Sequence, residues 1–123
     1  MTPLDKLLHG AGLAVTPETI DGFLALRGPA LLLFTGDPAQ RPEAQDVAVV
    51  AGQLGRKMSS LWIGVVTSAV PDAVKLRFKV AVVPTVVFLL DGEVKATLDR
   101  LRDWSVYART AEQAFGGRRE LTA

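Results

Sequence analysis

Residues 77–94 read RFKVAVVPTVVFLLDGEV, and this stretch carries the clearest structural signals in the chain. Asp91-Gly92 separates the strand-like run TVVFLL from a second run, EVKATL, in which apolar and polar residues alternate. An Asp-Gly pair between two such runs is typical of a β-hairpin with a two-residue turn. Pro84 directly precedes the first run and predicts a rigid turn at the entrance to that strand.

Two further strands and a helix are predicted upstream of the hairpin. The sequences ALLLF (30–34) and LWIGVV (61–66) are short continuous apolar runs, which favour strands buried on both faces of a sheet. Between them, apolar residues from Val47 to Met58 recur at helical spacing. A strand, a helix and a strand in this order predict a right-handed parallel crossover.

Three more helices complete the predicted order. Thr16 is expected to cap a helix that has Pro17 in its first turn. A short helix is expected over 71–78, and Asp103 is expected to cap the last helix. The order is therefore helix, strand, helix, strand, helix, strand, strand, helix. Parallel strands followed by an antiparallel hairpin imply an α/β fold, with a central mixed β-sheet flanked by helices on both faces.

Composition narrows the classes of function. The chain has 14 Lys and Arg residues against 13 Asp and Glu, a net charge of +1, which argues against nucleic acid as a partner. It has no cysteine, so disulfides and thiol catalysis are excluded. Its one histidine, His9, is expected to face solvent, and a metal centre is not expected because such sites use several ligands. No cofactor is predicted.

The sequence predicts one soluble, cytoplasmic domain over residues 1–123, with a flexible tail at 117–123. The N-terminal residues lack the apolar core of a secretory signal peptide. The most apolar stretch, 80–90, is shorter than the roughly 20 residues that membrane insertion needs. Trp62 and Trp104 are expected to be packing residues, in the core or half-buried.

Several segments resemble thioredoxin. ALLLFTG (30–36) is similar to the strand that leads into the thioredoxin active site, and residues 77–94 are similar to the later segment that contains the cis-proline. The resemblance spans about residues 13–116. It implies a single thioredoxin-like domain in which Pro84, after Val83, is the cis-proline.

The departures from thioredoxin remove its chemistry. Ala39 and Pro42 occupy the positions of the two thioredoxin cysteines, and Leu33 occupies that of the buried aspartate. Thiol–disulfide exchange needs a thiolate that attacks sulfur. The resemblance therefore implies a redox-inactive protein that is not an enzyme.

A narrower resemblance covers FTGDPAQRPEAQDVAVVAGQL, residues 34–54. This segment is similar to the thioredoxin-like NiFe-hydrogenase expression/formation accessory proteins, which also lack the cysteine pair. The resemblance implies a non-enzymatic assembly and export-proofreading chaperone. Its partner would be the hydrogenase small-subunit precursor, bound through the twin-arginine signal peptide, with other hydrogenase accessory proteins as further partners. The matching positions are Asp37, Pro38, Arg41, Pro42, Glu43 and Asp46.

The acidic residues of this motif have more than one reading. Asp37, Glu43 and Asp46 lie where the long helix begins, so they are expected to cap it or to complement its dipole. They could equally receive an arginine pair through charge-assisted hydrogen bonds. General acid–base catalysis is a third reading, and it needs a pocket and a perturbed pKa. Arg41 is expected to be exposed or paired with a neighbouring acid, and anion binding near the helix N-terminus is the alternative.

Val83, Pro84 and Thr85 are the second candidate site. They form the predicted turn into a strand, and in thioredoxin-like proteins the backbone just before the cis-proline pairs with an extended peptide. Two alternatives to the chaperone remain open: a redox-inactive structural subunit of a maturation complex, and a glutathione-binding or enzymatic thioredoxin-fold protein.

Overall fold

The computed structural model of the chain describes residues 1–37, 39–66 and 72–116. The expectations for Pro38, for Pro71 and for the tail at 117–123 lie outside these residues. The helices are α1 (Pro3–His9), α2 (Ile20–Leu24), α3 (Glu43–Lys57), α4 (Asp72–Arg77) and α5 (Trp104–Ala114); the strands are β1 (Gly12–Val15), β2 (Pro29–Phe34), β3 (Trp62–Val66), β4 (Thr85–Leu90) and β5 (Glu93–Asp99).

The five strands form one mixed sheet with the order β1-β3-β2-β4-β5. Strand β3 runs parallel to both β1 and β2, whereas β4 is antiparallel to β2 and to β5. The predicted parallel crossover from β2 through α3 to β3 is confirmed, and so is the antiparallel hairpin. Strand β2 therefore lies at the centre of the sheet.

Apolar clusters cover both faces of the sheet. Leu31 and Leu33 of β2 belong to a cluster that includes residues of α1, α3 and α5. Leu32 and Phe34 belong to a second cluster on the opposite face, which includes residues of α2. All four side chains are at most 2% exposed. The expectation of a strand buried on both faces is confirmed.

The hairpin turn has the predicted geometry. Asp91 and Gly92 both have positive φ, 53° and 80°, as a two-residue turn of type I′ requires. The Asp91 carboxylate accepts a hydrogen bond from the N–H of Gly28 at 2.8 Å. A β-bulge at Phe88/Leu89 shifts the register of the hairpin by one residue.

The N-terminal region differs from the prediction. The helix expected to start at Thr16 begins at Ile20 instead. The N–H of Thr16 donates to the hydroxyl oxygen of Thr19 at 2.8 Å, and the N–H of Thr19 donates to the carbonyl of Thr16. These bonds close a turn where the first helical turn was expected. The sequence analysis also missed β1, a four-residue strand paired with β3.

Helix α1 begins with a capping box formed by Thr2 and Asp5. The backbone N–H of Thr2 donates to the Asp5 carboxylate, and this bond lowers the pKa of Asp5 from its usual value. His9 is exposed at the end of the helix. No helix in the described part of the chain is long and apolar enough to span a membrane.

The two tryptophans differ in how far they are exposed to solvent. Trp104 is half-buried against the cluster of α1, α3 and α5, as expected. Trp62 is 41% exposed, so its assignment as a core or half-buried residue is wrong. Its indole N–H donates to the carbonyl oxygen of Arg27 at 3.0 Å, which places the polar edge of the ring outside the core.

Candidate functional site

The loop between β2 and α3 is shaped by bonds to Asp37. Gly36 has a φ of 68°, in the left-handed region that favours glycine. The Asp37 carboxylate accepts the N–H of Ala39 at 3.0 Å, and its carbonyl accepts the N–H of Gln40 at 3.0 Å and that of Arg41 at 2.9 Å. These bonds turn the chain toward α3 and leave the side chain of Arg41 exposed.

The acidic residues do not cap α3 through their side chains. Pro42 holds the N-cap position, and no side-chain cap hydrogen bond is present there. Glu43 and Asp46 lie in the first turn, where negative charge complements the helix dipole. The dipole part of the expectation is confirmed, and the capping part is wrong because the Asp37 carboxylate bonds within its own loop. All three carboxylates are exposed. Asp103 likewise holds the N-cap position of α5 without a side-chain bond.

The peptide bond between Val83 and Pro84 is cis, as the resemblance implied. Pro84 is buried, and its carbonyl accepts the N–H of Arg100 at 2.7 Å. The hydroxyl of Thr85 donates to the carbonyl of Val82 at 2.7 Å. Val83 is half-buried, and within the described ranges its backbone N–H and carbonyl oxygen take part in no hydrogen bond.

The β2–α3 loop and the cis-proline turn touch at Gly36. A Cβ atom at this position would lie 2.7 Å from the Val83 Cγ2 and 3.3 Å from the Arg41 Cδ. Real Cβ atoms do not approach other atoms as closely as the first distance, and positive φ already disfavours a side chain. The absence of a side chain at Gly36 therefore allows the two loops to pack closely against each other.

A cleft of about 610 Å³ opens beside the cis-proline turn. Apolar side chains of that turn line it, together with Leu101 from the β5–α5 connection. Four charged residues, three basic and one acidic, also line it. They are Arg41 before α3, Glu43 at the start of α3, Lys75 of α4 and Arg100 after β5.

The structure divides the predicted site residues into three groups. Arg41, Glu43, Val83 and Pro84 share the cleft. Thr85 lines a smaller neighbouring cavity of about 250 Å³ instead. The two remaining predicted residues, Asp37 and Asp46, are exposed and are not among those that line the cleft.

Sequence reasoning missed Lys75, Arg100 and Leu101. None of them belongs to a local motif; the fold brings them to the cleft from α4 and from the β5–α5 connection. The predicted hairpin brings the end of β5 near Pro84, but Arg100 rather than Asp99 lies there only because of the bulge. The N–H of Arg100 bonds to Pro84 because Thr85 is paired with Asp99.

The groups that line the cleft can bind a ligand. The backbone of Val83, which has no hydrogen-bond partner among the described residues, can bond to an extended chain, and the basic side chains can attract an anion. Across the described ranges, no group of three or more His, Asp and Glu residues is arranged to hold a metal ion.

The fold and its relatives identify the family. A mutant thioredoxin from Halobacterium salinarum NRC-1 matches with a TM-score of 0.73 and 21% identity, over 85% of this chain and 90% of that one, which confirms the thioredoxin-like fold. The hydrogenase expression/formation protein HupG of Rhizobium leguminosarum bv. viciae is 46% identical over 103 residues, which are 79% of this chain and 69% of HupG. HoxO of Cupriavidus necator, a hydrogenase expression/formation protein, is 36% identical over 104 residues, 82% of this chain and 65% of HoxO. Because the family model described as Hydrogenase-1 expression protein HyaE also matches residues 4–107, the chain belongs to that family, as the motif at 34–54 predicted.

Proposed function

We propose that this chain acts in hydrogenase maturation as a non-enzymatic assembly and export-proofreading chaperone, which binds the small-subunit precursor and its twin-arginine signal peptide. Membership of the hydrogenase expression protein family supports the role in maturation. The observation that carries the binding mode is the backbone of Val83, whose N–H and carbonyl lack partners in the described part of the chain and border an open cleft.

An extended peptide can use these two groups as a strand uses a sheet edge. Val83 lies just before β4, and its N–H and carbonyl have no partner among the described residues, so they continue the line of hydrogen-bonding groups beyond the paired part of the strand. In strand addition, main-chain bonds give affinity and side-chain pockets give selectivity. The apolar lining of the cleft supplies such a pocket.

The arginine pair of the signal peptide is assigned to the exposed carboxylates of the loop and of the first turn of α3. Asp37, Glu43 and Asp46 are exposed, and none of them takes part in the ion pairs formed among the described residues. A guanidinium can form two parallel hydrogen bonds with one carboxylate. Of the three, only Glu43 lines the cleft, so the arginines lie beside the cleft while the peptide main chain passes Val83.

Binding is proposed to be reversible and to hold the precursor until its cofactors are inserted. Because the signal peptide is still attached at that stage, we place the encounter in the cytoplasm. Ala39 and Pro42 cannot carry out thiol exchange, so no covalent step is part of the mechanism.

Calorimetric titration of the full chain with the cognate small-subunit precursor tests this proposal. The same subunit without its signal peptide is titrated in parallel, at low and at high salt. We expect binding that requires the signal peptide and weakens with salt, because the contact is between exposed charges. Charge reversal by Asp37→Lys or Asp46→Lys should weaken it, whereas Glu112→Lys, an exposed change on α5, is the matched control.

Equal affinity for both forms of the subunit would contradict signal-peptide recognition. It would place the contact on the mature subunit and favour a structural component of a maturation complex. Binding to neither form would overturn the assigned partner altogether.

A further inference from the structure

The charge of the cleft is opposite to what an arginine pair would select. Among the described residues that line it, Arg41, Lys75 and Arg100 are basic and Glu43 is acidic. The whole chain carries a net charge of only +1, so this excess is local. None of the four takes part in the ion pairs formed within the described ranges.

The three basic residues converge from separate parts of the chain. Arg41 follows the β2–α3 loop, Lys75 belongs to α4, and Arg100 follows β5. Arg100 is held most firmly, because its N–H donates to the Pro84 carbonyl at 2.7 Å and its own carbonyl accepts the Tyr107 hydroxyl at 3.3 Å. Its φ of 63° is uncommon for a residue other than glycine. The fold thus holds the backbone of Arg100 beside the cis-proline turn, and the residue itself is exposed.

Apolar side chains also line the cleft. They include Val82 and Val83, which are half-buried, and Leu101, which is 41% exposed. The cleft volume of about 610 Å³ falls in the range of ligand-binding pockets, about 300–1,000 Å³. An occupant therefore meets the backbone groups of Val83, apolar side chains and basic side chains in one cleft.

We propose that the occupant of the cleft is an extended peptide segment in which an aspartate or glutamate is flanked by apolar residues, and that Arg41, Lys75 and Arg100 bind its carboxylate. The inference rests on the proposed function in taking this segment from the small-subunit precursor. Guanidinium groups form bidentate, charge-assisted bonds with carboxylates, and a lysine adds a point charge. The arginine pair then lies outside the cleft, near Asp37 and Asp46. The chain would therefore bind one segment at two sites, an acidic site outside the cleft and a basic site within it.

Nuclear magnetic resonance titration of the full, ¹⁵N-labelled chain tests the carboxylate preference. The probe is the blocked peptide acetyl-Ala-Thr-Val-Glu-Val-Thr-Ala-amide, compared with versions that carry Gln or Lys in place of Glu. We expect the Glu peptide to shift the amide signals of Val82, Val83 and Arg100 and to bind about tenfold more tightly than the Gln peptide, a difference of about 1.4 kcal/mol. The preference should shrink as salt is added.

Substitutions of the charged residues that line the cleft should change the preference for the Glu peptide over the Gln peptide in opposite directions. Arg100→Gln and Lys75→Gln should bring the affinities for the Glu and Gln peptides close together. Glu43→Gln should tighten binding of the Glu peptide, because it removes the one carboxylate that competes for the cations. Arg109→Gln, an exposed change on α5, is the matched control, and the thermal midpoint of each variant shows that it is folded.

Several results would overturn the inference. These are equal binding of the Glu and Gln peptides, tighter binding of the Lys peptide, no binding of any peptide, or an equal effect of Arg100→Gln and Arg109→Gln. Free glutathione is titrated as well, and tighter binding of glutathione than of the Glu peptide at the same signals would replace a protein segment by a small peptide as the occupant.

The precursor titration separates this inference from the proposed function. If the precursor binds wild type and Arg100→Gln equally well, the carboxylate contact is wrong while the chaperone function stands. If the precursor does not bind but the Glu peptide retains its preference, the assigned partner is wrong and the chemistry of the cleft stands.

Discussion

Tyr107 links the last helix to the cleft through its hydroxyl group. The side chain is fully buried, and its oxygen accepts the N–H of Arg102 at 3.1 Å and donates to the carbonyl of Arg100 at 3.3 Å. Tyr107→Phe leaves both backbone groups without this partner. We expect it to lower the free energy of unfolding by about 1–2 kcal/mol, measured by urea denaturation. Ser105→Ala, an exposed change on the same helix, is the control, and an unchanged midpoint for Tyr107→Phe would contradict a structural role for the hydroxyl.

The same residue gives the chain a specific response to alkaline pH. Burial raises the pKa of Tyr107 above its usual value of 10.0. At pH values below 10.0 both the folded and the unfolded chain hold the phenol proton, and the contribution of Tyr107 to stability is complete. At higher pH the unfolded chain loses this proton first. The free energy of unfolding therefore falls until the pH has passed the pKa of the folded chain. Between about pH 9 and about pH 11, wild type should therefore lose more stability than Tyr107→Phe. All other side chains are common to both proteins, and equal losses would contradict this assignment.

At the scale of the element, α3 contains a glycine with no evident packing role. A Cβ atom at Gly52 would meet no atom within 4 Å, and glycine costs about 0.5–1 kcal/mol relative to alanine inside a helix. Gly52→Ala should therefore raise the free energy of unfolding by that amount in urea denaturation. Gly92→Ala should do the opposite, because a Cβ there would collide with the Leu24 carbonyl and φ is 80°. A destabilised Gly52→Ala variant would contradict this prediction, because the added methyl group would then have to collide with neighbouring atoms.

Elements that rest on local chemistry could be predicted from the sequence. The hairpin followed from Asp91-Gly92, and the central strand followed from the continuous run at 30–34. Strand β1 has no such pattern, because its four residues become a strand only by pairing with β3. The start of α2 was misplaced because two threonines compete for it: the Thr19 hydroxyl accepts the N–H of Thr16, which forms a turn instead of a cap.

Only part of the site could be predicted from the sequence, because the position of Arg100 depends on the register of the β4–β5 hairpin. A regular hairpin continued from the pair of Leu90 and Glu93 would set Pro84 opposite Asp99, an acid. The bulge shifts the pairing so that Thr85 lies opposite Asp99, and Arg100 then bonds to Pro84. One extra residue in β5 thus changes the charge beside the cis-proline, and no local pattern in the sequence reveals it.

At the scale of the whole molecule, we propose that residues 1–123 are one cooperative domain, because both apolar clusters share the central strand. Leu31 faces one cluster and Leu32 the other, and each is fully buried. Leu31→Ala and Leu32→Ala should each lower the free energy of unfolding by about 2–5 kcal/mol. Each variant should unfold in one transition, with far-ultraviolet circular dichroism and tryptophan fluorescence coinciding. Two separated transitions in either variant would contradict a single domain.

Ala39 and Pro42 have a kinetic consequence for any complex that the chain forms. A cysteine in either place could hold a partner through a mixed disulfide, whose release waits for attack by a second thiolate. With alanine and proline there, a bound partner departs when its noncovalent contacts break, so its residence time is set by the dissociation rate alone. Neither side chain has a thiol to oxidise or reduce, so this loop adds no redox dependence to that residence time.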